Sequence, residues 1–122
     1  GLVLIDPPFE TPDERRQVVK AFADAHARWP TGIYALWYPV KDLNAVEGFR
    51  KAILASGIRR LLLAELTIRP RATPEAFNGT GLILCNAPWR FSETLRALLE
   101  GLTPLLAVAR GAAWNVEELA GE

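Results

Sequence analysis

The tetrapeptide Asp6-Pro7-Pro8-Phe9 has residue types suited to holding and orienting an amine. An exocyclic amine on a nucleobase is a weak nucleophile because its lone pair is delocalised into the ring. Two acceptors on its N–H groups would draw the nitrogen toward tetrahedral geometry. The Asp6 carboxylate and the Pro7 carbonyl are such acceptors, and consecutive prolines fix φ and add no donors. Phe9 offers a flat face on which an extruded base could stack, for roughly 1–3 kcal/mol.

The same tetrapeptide has a simpler interpretation. Asp6 would then only cap a turn, the prolines would end a strand, and Phe9 would pack in the core. The residues alone leave both interpretations open.

A second group of polar residues follows the later predicted strands, and we expect it at the same sheet edge as Asp6. Ligand sites of α/β sheets collect at the carboxyl ends of strands, and cations converging there would contact phosphate. The alternative for Lys41 and the arginines is that they are solvated loop charges. The candidate substrate contacts are Tyr38, Lys41, Arg69, Arg71 and Asn78.

Apolar patterning and prolines predict the elements in the first half of the chain. Residues 2–5 form a continuous apolar run stopped by prolines, as in a strand buried on both faces. Thr11, Pro12 and Glu14 supply a hydroxyl cap, a first-turn proline and a capping glutamate, so a helix should begin there and end by Pro30. Residues 33–37 predict a second strand.

Caps and apolar runs also predict the elements in the second half of the chain. Asp42 is a predicted cap for a helix that ends at Gly57. Residues 61–68 and 82–85 predict the third and fourth strands. A further helix is expected over residues 91–102, with a restart at Thr103-Pro104.

The connection between the third and fourth strands predicts the topology. It has about ten residues and no helical periodicity, whereas a parallel crossover usually needs a dozen or more. The fourth strand should therefore run antiparallel, giving an α/β fold whose mixed sheet has three parallel strands and one antiparallel strand. The turn Asn86-Ala87-Pro88-Trp89 would then lie at the edge opposite Asp6, with Trp89 packed on the core.

Composition excludes several classes of protein. The chain has 122 residues, 50% of them hydrophobic and 23% charged, which predicts one globular domain. Fourteen basic residues balance fourteen acidic ones, which argues against binding driven by total charge. No apolar run approaches the roughly 20 residues that span a bilayer, so we expect no membrane partner.

Counts of three residue types add further expectations. The single histidine and single cysteine, His26 and Cys85, are too few for a zinc site, so we expect no metal. An unpaired cysteine indicates a reducing, cytoplasmic location. The chain contains no methionine, which predicts a fragment of a longer protein.

Four segments together resemble a known family. Asp6-Pro7-Pro8-Phe9 resembles the Asp/Asn-Pro-Pro-aromatic motif of S-adenosylmethionine-dependent amino-methyltransferases. The four segments, residues 1–10, 32–41, 78–81 and 86–89, together resemble the carboxyl half of the RlmJ family of 23S ribosomal RNA adenine-N6 methyltransferases. The resemblance extends to about Gly111. Members of that family have also been labelled proteins involved in catabolism of external DNA.

The resemblance implies a fold, a cofactor and a partner. Residues 1–122 would be one partial domain, the carboxyl half of a Rossmann-like class I methyltransferase. S-adenosylmethionine would be the methyl donor and 23S ribosomal RNA the substrate. Asp6, Pro7, Pro8 and Phe9 would be catalytic, and Asp6 and Pro7 would also lie against the cofactor. The Gly-rich cofactor turn would lie upstream, because Gly79-Thr80-Gly81 precedes a strand rather than following one.

Two other functions remain open at this point. One is a non-catalytic nucleic-acid-binding protein involved in uptake or catabolism of external DNA. The other is an amino-methyltransferase that acts on a different base. In either case, the exposed edge of the first strand predicts self-association of the fragment.

Overall fold

A computed structural model describes residues 1–6 and 11–122, apart from the side chain of Pro12. It has five strands and three helices in these residues. In chain order the elements are β1 (Leu2–Ile5), α1 (Pro12–Arg28), β2 (Ile33–Val40), α2 (Leu43–Ala55), β3 (Leu61–Thr67), β4 (Gly79–Cys85), α3 (Phe91–Leu106) and β5 (Ala113–Ala120).

The two helices that follow β1 and β2 begin at the predicted caps. The Thr11 hydroxyl accepts a hydrogen bond from the Glu14 N–H at 3.4 Å, and the Asp42 carboxylate accepts one from the Asn44 N–H at 2.9 Å. Each cap satisfies a backbone donor that the first helical turn leaves unpaired. Gly57, directly after the C-cap of α2, has a φ of +76°, a conformation that glycine adopts without strain.

The sheet is mixed, as predicted, but its strand arrangement differs from the prediction. The order is β1-β2-β4-β3-β5, and only β1 and β2 form a parallel pair. The predicted split of three parallel strands and one antiparallel strand is therefore wrong. The hairpin strand β4 inserts between β2 and β3 and pairs antiparallel with both, so β3 shares the direction of β2 without adjoining it. A second antiparallel strand, β5, pairs with β3.

Helices cover both faces of the sheet. α1 and α2 pack on one face, where Phe22, Phe49 and Ile53 are fully or almost fully buried. α3 packs on the other face, with Leu95 buried against Ala64 and neighbouring strand residues. The apolar stripes predicted for these helices thus form the two layers of the core.

Two expectations for the end of the chain are wrong. α3 continues to Leu106 without the predicted restart: Pro104 lies in its last turn, and its missing N–H removes one helical hydrogen bond without ending the helix. Trp89 does not pack on the core: it is 85% exposed, and the guanidinium of Arg90 lies 4.3 Å from its ring centroid. The arginine covers part of the indole by a cation–π contact.

Candidate functional site

The carboxyl ends of β2 and β3 meet at one sheet edge. Val40 and Thr67 both pair with Gly79 of β4, so the two strands end at the same level. An open cavity of about 640 Å³ lies there, between α1, α2 and the loop that connects β3 to β4. Its walls include Thr11, Arg15, Tyr38, Lys41, Asp42 and Arg71. This volume is within the range of small-molecule sites.

Asp6 lies at the same edge, directly after β1. Ile5 pairs with Leu36, so Asp6 is close to the level of Tyr38 in the strand direction. The residue is exposed. Pro7, Pro8 and Phe9 lie outside the described residues, and the described chain resumes at Thr11, which lines the cavity. The described residues that flank the predicted catalytic segment are thus the exposed Asp6 and the cavity-lining Thr11.

A buried carboxylate holds two residues of the cavity wall. Glu65, in the middle of β3, accepts hydrogen bonds from the Tyr38 hydroxyl at 2.9 Å and from the Arg71 Nε at 2.7 Å. The Arg71 Nη2 donates to the same carboxylate at 3.3 Å. Burial and the neighbouring Glu65 charge raise the pKa of the Tyr38 phenol far above its ordinary value, so the hydroxyl remains a donor. The hydrogen bond to Glu65 raises the pKa of the Arg71 guanidinium.

Gly81 lets Tyr38 reach Glu65. In the sheet register Gly81 pairs with Tyr38 on one side and with Glu65 on the other. A Cβ at position 81 would lie 2.0 Å from the Tyr38 Cζ, so the ring crosses β4 over a residue without a side chain. Gly79 is similarly close to the backbone of β3, with a Cβ position 2.1 Å from the Leu66 carbonyl oxygen. Both glycines thus have a packing role within the sheet.

Asn78 holds the loop that carries Arg71. Its side chain is fully buried, and its Nδ2 donates to the carbonyls of Arg71 at 3.0 Å and Thr73 at 2.9 Å. Its backbone N–H donates to the Val40 carbonyl at 2.7 Å, which ties the loop to β2. Asn78 therefore fixes the loop rather than lining the cavity as a substrate contact.

The structure brings together part of the predicted substrate-binding set. Tyr38, Lys41 and Arg71 line one cavity, whereas Arg69 does not contribute to its wall. Arg69 is half-buried, and its Nε has no hydrogen-bond partner in the described part of the chain. The hydroxyl of Tyr38 points to Glu65, so its role is to support that carboxylate.

Sequence reasoning missed Glu65. It is the single charged residue within the apolar run 61–68, and a carboxylate in such a strand needs a buried partner. That conflict between residue type and position was the available signal. Nothing in the local pattern identified Tyr38 and Arg71 as its partners.

The competing turn lies at the opposite edge, as predicted. Asn86 follows Cys85, which pairs with Tyr34 near the start of β2. The Asn86 amide donates to the carbonyls of Pro30 and Gly32, both at 2.8 Å, and its φ is +58°. These contacts give Asn86 a structural role in the strand-to-helix turn.

The described residues lack both a metal-binding cluster and a membrane-spanning helix. Within residues 1–6 and 11–122, no three side chains of His, Cys, Asp or Glu are grouped so as to hold a metal ion. No helix in the same ranges combines the length and the apolar character that crossing a membrane requires.

Two relatives of known name match this chain in sequence. The chain is 37% identical over its full length to the ribosomal RNA large subunit methyltransferase J of Haemophilus influenzae. It is 36% identical over 109 residues to the protein of the same name from Escherichia coli. It spans 43% and 39% of the lengths of these two relatives.

A solved structure and a family model agree with these relatives. The crystal structure of protein LPL1258 from Legionella pneumophila matches 97% of the chain, and the chain covers 43% of that protein. The TM-score is 0.86 at 28% sequence identity. The family model described as ribosomal RNA large subunit methyltransferase D, RlmJ, matches residues 1–119. On this match over nearly its whole length, the chain belongs to the RlmJ family of ribosomal RNA large subunit methyltransferases.

Proposed function

We propose that this chain is the carboxyl-terminal part of an S-adenosylmethionine-dependent enzyme that methylates N6 of an adenine in 23S ribosomal RNA. The observation that carries the proposal is the position of Asp6. Its exposed carboxylate directly follows a strand of a sheet that belongs to a methyltransferase family, at the edge that holds the cavity. Ligand sites of α/β sheets collect at this edge.

The chemistry of Asp6 fits the implied cofactor. S-adenosylmethionine, when bound, supplies an electrophilic methyl group on a positively charged sulfur. An exposed carboxylate favours a nearby positive charge and also accepts a hydrogen bond from an amine. In the proposal Asp6 and the Pro7 carbonyl serve both the cofactor and the target amine.

The residues of this chain act by orienting the amine. Asp6 and the Pro7 carbonyl each accept one N–H of the adenine N6 group, and Phe9 stacks on the extruded base. The bound cofactor would supply the methyl group, and Asp6 and the Pro7 carbonyl would hold the nitrogen that receives it while one N–H proton leaves to water. A fixed acceptor stabilises the positive charge that develops on nitrogen in this step.

Substitution of Asp6 in the full-length protein tests the proposal. Asp6→Ala should lower kcat about 10²–10³-fold, as expected for one lost preorganised contact in the transition state. RNA affinity should change little. Asp6→Asn retains one acceptor oxygen and should therefore lower kcat less than Asp6→Ala does. Asp24→Ala is a matched control, because Asp24 is an exposed aspartate on α1 that pairs with Lys20.

The assay measures transfer of labelled methyl to 23S RNA from cells that lack the native enzyme, followed by nucleoside analysis. Label in N6-methyladenosine is the expected product. Label in another base, or in DNA but not RNA, would reassign the substrate. Full activity of Asp6→Ala together with its loss on Asn86→Ala would refute the assignment of the catalytic turn.

The proposal also assigns a partner to the exposed edge of β1. β1 is the terminal strand of the sheet, and Leu2 and Leu4 are 65% and 64% exposed. In the proposal this edge pairs with a strand from the rest of the protein, and the isolated 122 residues self-associate through it. Light scattering that finds only monomers at high concentration of the isolated chain would contradict the predicted self-association.

A further inference from the structure

We propose that Arg71 forms a phosphate subsite on the cavity wall and that buried Glu65 is the residue that positions it. The ligand is a phosphodiester group of the nucleic-acid strand that enters the cavity. The inference rests on the proposed function, since it adds a contact for the same substrate at the same edge. It adds Glu65, which no sequence pattern identified.

The hydrogen bonds of Arg71 leave a defined part of its guanidinium available. A guanidinium has five N–H donors in a planar fork. Glu65 accepts from Nε and from Nη2, which are on one side of the group. The remaining donors are both N–H groups of Nη1 and one of Nη2. These adjacent nitrogens form the fork that binds phosphate through two parallel hydrogen bonds.

Burial is unequal across the pair. The Glu65 side chain is 9% exposed, whereas the Arg71 side chain is 45% exposed. The carboxylate thus holds the guanidinium from its buried side, while the half-exposed Arg71 side chain lines the cavity. The Tyr38 hydroxyl donates to Glu65 as well, which limits the freedom of the carboxylate itself.

The backbone that carries Arg71 is also fixed. The Asn78 amide donates to the Arg71 carbonyl, and the Thr73 hydroxyl donates to the Pro70 carbonyl at 2.7 Å. A cation held on both its side chain and its backbone loses little conformational entropy when an anion binds. This preorganisation distinguishes Arg71 from an ordinary solvated loop arginine.

The other charges of the cavity wall support an anion at this place. Lys41 is exposed and has no hydrogen-bond or ion-pair partner within the described ranges. Arg15 donates to the Ala45 carbonyl at 3.1 Å, and the Asp42 carboxylate is engaged in the cap of α2. Glu75 is the remaining acidic residue of the wall. The cationic groups of the wall that keep free donors are therefore Lys41, Arg15 and the fork of Arg71, and of these the Arg71 fork is the one held by a buried carboxylate.

RNA binding by the full-length protein tests the subsite. Arg71→Gln removes the charge but retains an N–H donor for Glu65. It should weaken RNA affinity about 10- to 100-fold at low salt. It should also reduce the slope of log affinity against log salt by about 0.7–0.9. KM for RNA should rise more than kcat falls. Arg60→Gln is the matched control, because Arg60 precedes β3 at the opposite edge and pairs with Glu122.

Glu65 is tested through its dependence on Arg71. Glu65→Gln should weaken RNA affinity about 10-fold in the otherwise unchanged protein and have no further effect in the Arg71→Gln background. If it weakens affinity equally in both backgrounds, Glu65 does not act through Arg71 and the positioning role is wrong. Should Glu65→Gln fail to fold, Arg71→Lys serves instead, since it retains the charge but lacks the fork. Arg71→Lys should restore the salt slope without restoring affinity, and recovery of both would refute the fork geometry.

Failure of the subsite and failure of the proposed function give different results. If the unchanged protein methylates 23S RNA and Arg71→Gln alters neither RNA affinity nor its salt slope, the subsite is wrong and the function stands. If no RNA is methylated but Arg71→Gln still weakens RNA binding with the expected slope change, the function is wrong and the subsite stands.

Discussion

Replacing Gly81 by alanine would place a methyl group where the Tyr38 ring now crosses β4. The added Cβ would lie 2.0 Å from Cζ, 2.4 Å from Cε1 and 2.4 Å from the hydroxyl oxygen of Tyr38. Real Cβ atoms do not approach other atoms this closely, so the ring must move. Because Gly81 lies between Tyr38 and Glu65 in the sheet register, this movement takes the hydroxyl away from the carboxylate.

Two costs follow from that displacement. Adding a methyl group to a well-packed core costs about 1–3 kcal/mol. Losing a hydrogen bond to a buried charged group costs about 1.5–3 kcal/mol more. We therefore expect Gly81→Ala to lower the free energy of unfolding by about 2.5–6 kcal/mol, a large part of the stability of a typical domain.

Urea unfolding of the full-length protein, followed by tryptophan fluorescence, measures this loss. Gly101→Ala is the matched control, because a Cβ at position 101 in α3 meets no atom within 4 Å. That substitution should stabilise the helix by about 0.5–1 kcal/mol. In a Tyr38→Leu background, Gly81→Ala should cost much less, since the ring that it displaces is gone.

A cost below about 1 kcal/mol for Gly81→Ala would contradict this prediction, because the ring would then have room to avoid the methyl group. The prediction also fails if the cost is the same with Tyr38 and with leucine at position 38. The second result would locate the effect in the backbone of β4 rather than in the contact with Tyr38.

Two other predictions concern the cap of α2 and the buried thiol of Cys85. Asp42→Ala should lower the free energy of unfolding by about 0.5–2 kcal/mol, because the α2 cap is lost, against a smaller effect for the exposed Asp24→Ala in the same urea assay. Burial raises the pKa of the Cys85 thiol, so the native protein should react slowly with a thiol reagent at pH 8 and rapidly once unfolded. The stability contributed by this un-ionised thiol is present below its ordinary pKa and declines as the pH rises above it, because the thiol of the unfolded chain ionises first. Rapid reaction under native conditions would contradict the burial of Cys85.

Much of the local structure was predictable because it depends on residues close together in sequence. The caps at Thr11 and Asp42 and the turn at Gly57 are specified within three residues of the helix ends. The antiparallel direction of β4 was predictable for a similar reason, since a short connection without a helix cannot return the chain for a parallel pair. The same argument correctly assigned Asn86 to the edge opposite Asp6.

The neighbour relationships of the strands were not predictable in this way. Strand direction follows from the length of a connection, but strand order depends on which surfaces bury the most apolar area together. β4 therefore lies between β2 and β3, and β5 pairs with β3, without a local signal for either. Trp89 is another example. Its apolar ring predicts a place in the core, but the folded chain leaves it on the surface.

The candidate site, like the fold, was predictable from the sequence only in part. The sequence by itself determined that Asp6 follows an apolar strand before two prolines and that Lys41 and Arg71 follow later strands. Only the tertiary structure placed Tyr38, Gly81 and Glu65 side by side on three adjoining strands, which gives Arg71 its fixed position. The physical reason is that a buried carboxylate needs partners from distant parts of the chain, and their identity is decided by sheet register rather than by spacing in sequence.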